Sequence, residues 1–465
     1  MMENNRNSFT GSIGFILAAA GSAVGLGNIW RFPYLAARDG GGLFLFVYLI
    51  LAVTFGFTLL TTEIAIGRKT KQSPLTAYGY LKKEWKCVGV ISCLVPMMIL
   101  PYYCVIGGWV IKYFIVFLTG SGIQSTSEGY FSSFITGESD PFIMMILFLL
   151  ITVMIVVLGV KNGIEKFSEL IMPLLIVLIM IISVYSLTLS YKDENGVLRT
   201  GLQGLKVLCV PDFSNITFSV LAKTVMDAMG QLFYSLSIAM GIMITYGSYM
   251  KDTTALEKSV TKIEIFDTAI AFLAGVMIIP SVYVFMGYEG MEASGPELMF
   301  VSLPMVFKQM GRWGGLVGGL FFAMVLFAAV TSSVSILEAI VSSLMDRYGM
   351  SRNKAAIVEG AMALIIGTVV CLGYNRLYFE FELPNGATGQ ILDILDYISN
   401  NILMPIGSMC TCILAGWVLK PGMFVDEITK NGEVFKRKNL YIVMLKFIAP
   451  IMLMIIFIKA VGIIR

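Results

Sequence analysis

The sequence predicts an all-α integral membrane protein: one domain over residues 1–465 with eleven membrane-spanning helices. Three observations predict it. Of 465 residues, 57% are hydrophobic and only 14% are charged, too few charges to cover a soluble protein of this size. Apolar stretches of about 20 residues recur from end to end, and that is the length a helix needs to cross about 30 Å of hydrocarbon. The connections between these stretches alternate in charge.

The spans are expected at about 11–36, 41–69, 88–118, 141–160, 165–189, 219–249, 259–288, 315–345, 354–374, 391–419 and 440–464. Arg68, Lys69, Lys71, Lys82, Lys83 and Lys86 follow the second. Lys161 and Lys166 follow the fourth, and Lys251 and Lys258 the sixth. Arg347, Arg352 and Lys354 follow the eighth, and Lys420, Lys430, Lys436, Arg437 and Lys438 the tenth. Segment 119–140 has neither Lys nor Arg. Positive charge marks the cytoplasmic side, so the N-terminus is expected in the cytoplasm and Arg465 outside. Segment 190–218 carries Lys192, Arg199 and Lys206, but long loops weigh less in this rule. Met1 to Thr10 is polar, with no apolar core or cleavage site, so no signal peptide is expected.

Net charge is +3, which points to no nucleic-acid partner. The chain has no histidine. That excludes histidine-ligated zinc and haem, Ser-His triads and histidine proton relays, and no enzyme is expected. The cysteines are Cys87, Cys93, Cys104, Cys209, Cys371, Cys410 and Cys412. Most fall in apolar helices, and Cys410 and Cys412 point to roughly opposite faces, which suits packing better than chelation.

Two spans are interrupted. The first reads FILAAAGSAVGLGNIWRFPYLAARDGGG, with Gly21, Gly25 and Gly27 in its middle. Each glycine costs up to ~1 kcal/mol against alanine in a helix interior. The sixth reads DAMGQLFYSLSIAMGIMITY, with Ser235, Ser237 and Gly241 at a corresponding depth. The two open five-helix sets at about 11–189 and 219–419, and 440–464 is an extra helix. Matched interruptions in two halves point to a transporter's binding site. Broken helices expose backbone inside the membrane, tolerable only where something polar fills the gap. Helix N-termini suit a carboxylate, and freed carbonyls suit a small hard cation. The alternative is that small residues only permit close helix packing.

GSAVGLGNIWRFPY (Gly21 to Tyr34), GQLFYSLSIAMG (Gly230 to Gly241) and AAVTSSVSILE (Ala328 to Glu338) resemble the signatures of the neurotransmitter–sodium symporter family, as does the spacing of Gly163 and Pro173. The resemblance covers nearly the whole chain and reaches the family's bacterial amino-acid transporters of the LeuT/MhsT type. It implies the LeuT-type 5+5 inverted-repeat fold, with helices one and six unwound mid-membrane. It also implies sodium-coupled symport of an amino acid by alternating access, in a bacterial inner membrane, as a monomer or weak homodimer.

The resemblance assigns roles to residues of this chain. A first sodium ion would take the Ala23 carbonyl, Asn28, Ser235, Asp267 and the substrate carboxylate. A second would take the carbonyls of Gly21, Val24 and Ala328 and the hydroxyls of Thr331 and Ser332. The substrate would lie among Ser22, Ala23, Gly25, Leu26, Gly27, Tyr103, Tyr234, Ser235, Ser237 and Ser332. Its side chain would meet Ile99, Met240 and Ile336. Ile99 precedes Tyr103 by one helical turn, so both can face one cavity. Monoamine-type relatives carry aspartate where this chain has Gly25, which leaves room here for a substrate carboxylate. The apolar trio suggests a hydrophobic or aromatic substrate.

Asp267 is an intramembrane carboxylate, costly without a partner. Relatives with asparagine there recruit chloride, so no chloride is expected to be required, and a proton could replace the ion on the return step. The resemblance pairs Arg31 with Asp396 as an outer gate, and Arg6 with Asp346, near Tyr249, as an inner gate. Glu63 and Gln231 would brace the break in helix six. Pro173 would let the start of helix five unwind and admit water to the second ion site. Glu338 is also intramembrane and receives no role. A proton-coupled transporter and an amino-acid sensor are the alternatives. Thr331 and Ser332 speak against the first, and the lack of an output domain against the second.

Overall fold

The computed structural model describes residues 8–192, 196–211, 217–292 and 295–463. Among these, nine helices are long and apolar enough to cross a membrane: Gly42–Thr70, Lys83–Leu118, Asp140–Val157, Val160–Leu187, Leu256–Met286, Gly311–Tyr348, Arg352–Leu372, Ile391–Val418 and Lys438–Ala460. They lie at the second to fifth and seventh to eleventh expected spans. The first is a bent pair, Ser12–Ala23 and Gly27–Arg38, turned by 53° at its break. The sixth is divided and fails the same test of length and hydropathy. Its first piece, Phe218–Ser235, carries Lys223 and Asp227, and its second piece, Ile242–Tyr249, has only 8 residues.

Close backbone approach sets the arrangement around the breaks. The piece Ile242–Tyr249 of the sixth span lies on the second span. A side chain on Gly67 would run into the Ile244 carbonyl, and one on Gly247 into the Ile64 carbonyl. Small residues let membrane helices pack this tightly. The third span runs along the eighth, and the fourth and ninth close around that pair. The connection after the fifth span holds structure that its polar sequence does not announce. Ser190–Lys192 pairs antiparallel with Leu198–Thr200, and Thr200 then caps the helix Gly201–Cys209 in a reciprocal box with Gln203.

Ion pairs fix the loops at one end. Arg68 is buried, donating to Glu427 at 2.8 Å and to the Thr254 carbonyl at 2.9 Å. Arg68→Ala would strand a buried carboxylate, so it is expected to cost about 3–5 kcal/mol of stability, while the double change Arg68→Met with Glu427→Leu costs far less. Thermal denaturation of the purified variants in detergent checks this; equal losses in the two would contradict it. Asp252 accepts from Lys71 and Lys430 at 2.8 Å each. Burial pushes its carboxyl up, but the hydrogen bonds from Lys430 and Lys71 outweigh that and hold it at about 2. At the other end, Lys459 of the eleventh span meets Asp227 of the sixth at 3.7 Å. All seven cysteines are free. Cys93, Cys104, Cys371 and Cys412 are buried, but Cys87 and Cys209 are exposed, so these two do not belong to the expected core set.

Candidate functional site

The first span stops being helical at Val24, whose ψ of 96° is extended, and resumes at Gly27. Gly25 sits in that gap for reasons of space. A Cβ there would lie 2.7 Å from the Ser332 hydroxyl and 3.4 Å from the Tyr103 hydroxyl. A Cβ on Gly27 would lie 2.6 Å from the Tyr234 ring. The sixth span breaks after Ser235. Ser237, Ala239 and Gly241 all have positive φ, at 53°, 63° and 70°. For serine and alanine this is strained backbone, of order 1–3 kcal/mol each. Buried bonds hold it. Ala239 N–H donates to Glu63 at 2.7 Å, and the Ser237 hydroxyl donates to the Ser22 carbonyl at 3.2 Å. Gln231 reaches the first span instead, donating to the Gly27 carbonyl at 2.9 Å.

Where the two breaks meet there is a cavity. The thirteen residues assigned to the substrate all line it: Ser22, Ala23, Gly25, Leu26, Gly27, Ile99, Tyr103, Tyr234, Ser235, Ser237, Met240, Ser332 and Ile336. Asn28 completes the lining. The Tyr103 hydroxyl is buried and has no hydrogen-bond partner. A buried polar group without a partner is costly, so it points to an incoming acceptor or donor.

Asp267 is fully buried beside this cavity. Its Oδ1 accepts from the Ser235 hydroxyl at 2.6 Å and from the Asn28 amide at 2.8 Å. Asn28 also donates to the Ser235 hydroxyl at 2.9 Å. Tyr48 donates to Oδ2 at 3.3 Å, a third partner that the sequence reading missed. Its only signal is a phenol in an apolar run, which needs a polar contact when buried. These oxygen-bearing side chains fit a small hard cation, provided the Asn28 amide turns its oxygen inward.

At the second proposed ion position the parts are only partly joined. The Ser332 hydroxyl donates to the carbonyls of Ser22 at 3.2 Å and Val24 at 3.4 Å. Thr331 does not reach the first span. It bonds back to its own helix at the carbonyls of Phe327 (3.1 Å) and Ala328 (3.0 Å). This is the local back-bonding that threonine favours when no outside acceptor is in range. Gly21 lies close by, its added Cβ 3.4 Å from that of Thr331 and 3.3 Å from the Met172 sulfur.

The outer gate differs from expectation. Arg31 and Asp396 make no direct ion pair. Arg31 stands over the Tyr234 ring at 5.9 Å, a cation–π distance. Asp396 is already satisfied, accepting from Tyr102 at 3.0 Å and Asn400 at 2.6 Å. Arg6 lies outside the described residues. Asp346 accepts the Ser73 backbone N–H at 2.6 Å. Tyr249 donates to Glu338 at 2.6 Å, and Arg352 closes on Glu338 at 2.5 Å, which gives Glu338 its partners. Gly163 falls in the wide turn Val160–Glu165, pressed on the Ile155 carbonyl, and Pro173 lies inside the helix that follows. Glu165 of the same turn holds Thr10, accepting its N–H at 3.0 Å and its hydroxyl at 3.1 Å.

The model of the sodium:neurotransmitter symporter family matches residues 6–127 and 132–464. The chain belongs to this family. Within it, the uncharacterized sodium-dependent transporter YhdH of Bacillus subtilis is 33% identical, with 100% of this chain and 99% of that one covered. An uncharacterized sodium-dependent transporter of Haemophilus influenzae is 30% identical, over 99% of each chain. Among solved structures, MhsT in complex with L-phenylalanine superposes with a TM-score of 0.85 at 34% identity, covering 98% of this chain and 100% of that one. This symporter is therefore a sodium-dependent, multi-pass membrane transporter with the LeuT-type fold, not an enzyme.

Proposed function

We propose that the protein carries one amino acid with a hydrophobic or aromatic side chain, together with two sodium ions, into a bacterial cell without chloride. The observation that carries this reading is the cavity at the two breaks. Gly25 keeps it open beside the partnerless Tyr103 hydroxyl, and Asp267 stands at its edge. The substrate's carboxylate is held against the Tyr103 hydroxyl and the freed amides of the first span. A sodium ion between that carboxylate, Asn28, Ser235 and Asp267 makes each ligand strengthen the other. The second ion ties Gly21 and Val24 to Ala328, Thr331 and Ser332, which requires Thr331 to leave its back-bond. The complex of MhsT with phenylalanine supports an amino acid. Ile99, Met240 and Ile336 supply the apolar wall. Met240 gives that wall an adaptable member.

The N-terminus faces the cytoplasm and the eleventh span ends outside. Two charges moved inward gain about 2.3 kcal/mol each per 100 mV of membrane potential. Alternating access swings the broken spans against the third, fourth, eighth and ninth, across two inverted five-helix repeats. In proteoliposomes with an inward sodium gradient, uptake of tritiated phenylalanine is expected to be equal in chloride and in gluconate. Uptake that vanishes in gluconate contradicts the role given to Asp267. Uptake unaffected by removing the sodium gradient, but driven by a proton gradient, favours the proton-coupled alternative.

A further inference from the structure

Glu359 has no place in the cycle so far, yet its setting is unusual. It lies in the ninth span and is fully buried, and neither carboxylate oxygen has a hydrogen-bond partner. The ninth span packs on the third, fourth and eighth. From the third, Cys93 and Cys104 lie within its electrostatic reach, and Cys93 in turn faces Ser343 of the eighth. The fourth span holds no titratable residue after Asp140. On the eighth, Glu338 is engaged by Arg352 and Tyr249, and Asp346, Arg347 and Tyr348 stand at the helix end. No cation therefore answers Glu359 among the described residues. A buried carboxylate in that position is far cheaper neutral than charged.

One cluster lies toward the start of the same span. Arg352 precedes Glu359 by two helical turns on the same face. Its guanidinium bonds Glu338 at 2.5 and 2.9 Å and the Val156 carbonyl at 3.3 Å. Tyr249, the last residue of the sixth span's second piece, donates to the same Glu338. This cluster thus ties the ninth span, which carries Glu359, to the broken helix whose movement opens the site.

We propose that Glu359 is a proton-binding site. It carries one proton while the Arg352–Glu338–Tyr249 cluster is closed. When the second piece of the sixth span moves away, water enters, the proton passes to water, and the carboxylate must take a proton back before the cluster recloses. This second half rests on the alternating-access reading; the buried proton does not. Uptake by the wild type should then fall as internal pH rises at fixed external pH and membrane potential, because recloser waits on a proton.

The test uses the full chain in lipid and has two arms. In infrared spectra at neutral pH, the wild-type minus E359Q difference is expected to contain the C=O stretch of a protonated carboxyl. Its absence overturns the proposal. In proteoliposomes, E359Q is expected to lose the dependence on internal pH that the wild type shows. The same profile in both, or a flat wild-type profile, overturns the coupling. E359M, of similar size and apolar, replaces E359Q with the same expectations if the amide does not fold. A wild type without sodium-driven uptake would sink the transport reading, and the infrared arm alone would then decide the proton.

Discussion

Gly25→Asp is expected to abolish amino-acid binding. A Cβ at this position already lies 2.7 Å from the Ser332 hydroxyl and 3.4 Å from the Tyr103 hydroxyl. The new carboxylate would take the Tyr103 hydroxyl that the substrate needs, and would set a second negative charge beside the substrate's own. Two carboxylates in one buried site do not both ionise cheaply. A loss of about 3 kcal/mol, or roughly 100-fold in Kd, is the expected minimum. Gly25→Ala adds only the steric part, about 1–3 kcal/mol. Equilibrium binding of tritiated phenylalanine to the two purified variants checks the order. An aspartate variant that binds as well as the alanine variant would place the substrate carboxylate elsewhere. An amine without a carboxylate is expected to be less affected by the aspartate than phenylalanine is.

Asp267→Asn should weaken sodium rather than the fold. The amide is nearly the same shape and can still meet Asn28, Ser235 and Tyr48, which now converge on the carboxylate. What it lacks is charge. Charged hydrogen-bonded contacts are worth about 1.5–3 kcal/mol, which corresponds to roughly 10–100-fold in sodium affinity. The sodium concentration for half-maximal phenylalanine binding is therefore expected to rise by that factor in gluconate. Chloride is expected to restore part of it, as a mobile anion standing in for the missing carboxylate. An unchanged sodium dependence would remove Asp267 from the ion site.

Much of the fold was legible because a bilayer permits little else. Apolar runs of the right length had to be helices. The spans begin and end within a few residues of their expected limits, except where a turn such as Val160–Glu165 joins a helix without a polar break. The breaks were legible from small and polar residues in mid-span, and the cavity lining from a long motif match. Other parts depended on facts that a linear reading does not hold. Tyr48 is one of 20 tyrosines, and nothing nearby in sequence marks it as the one facing Asp267. Positive φ at Ser237 and Ala239 goes against the preference of both residue types and is held by Glu63 and Ser22, each far away in the chain. Glu338 meets Arg352 only because the loop at Gly349 turns the chain back. Thr331 bonds to its own helix rather than to the first span, a choice that a linear reading does not reveal. The hairpin of Ser190–Lys192 with Leu198–Thr200 and the helix after it lie in segments where membrane hydropathy carries no signal.

The central claim is that amino-acid binding and sodium binding are one event at the broken helices. Scintillation-proximity binding of tritiated phenylalanine, tyrosine and leucine to the purified protein, in sodium and in potassium buffer, tests it most directly. Saturable binding in sodium that disappears in potassium is the predicted result. Equal binding in the two salts would contradict the coupling, because the substrate carboxylate would then need no ion beside Asp267.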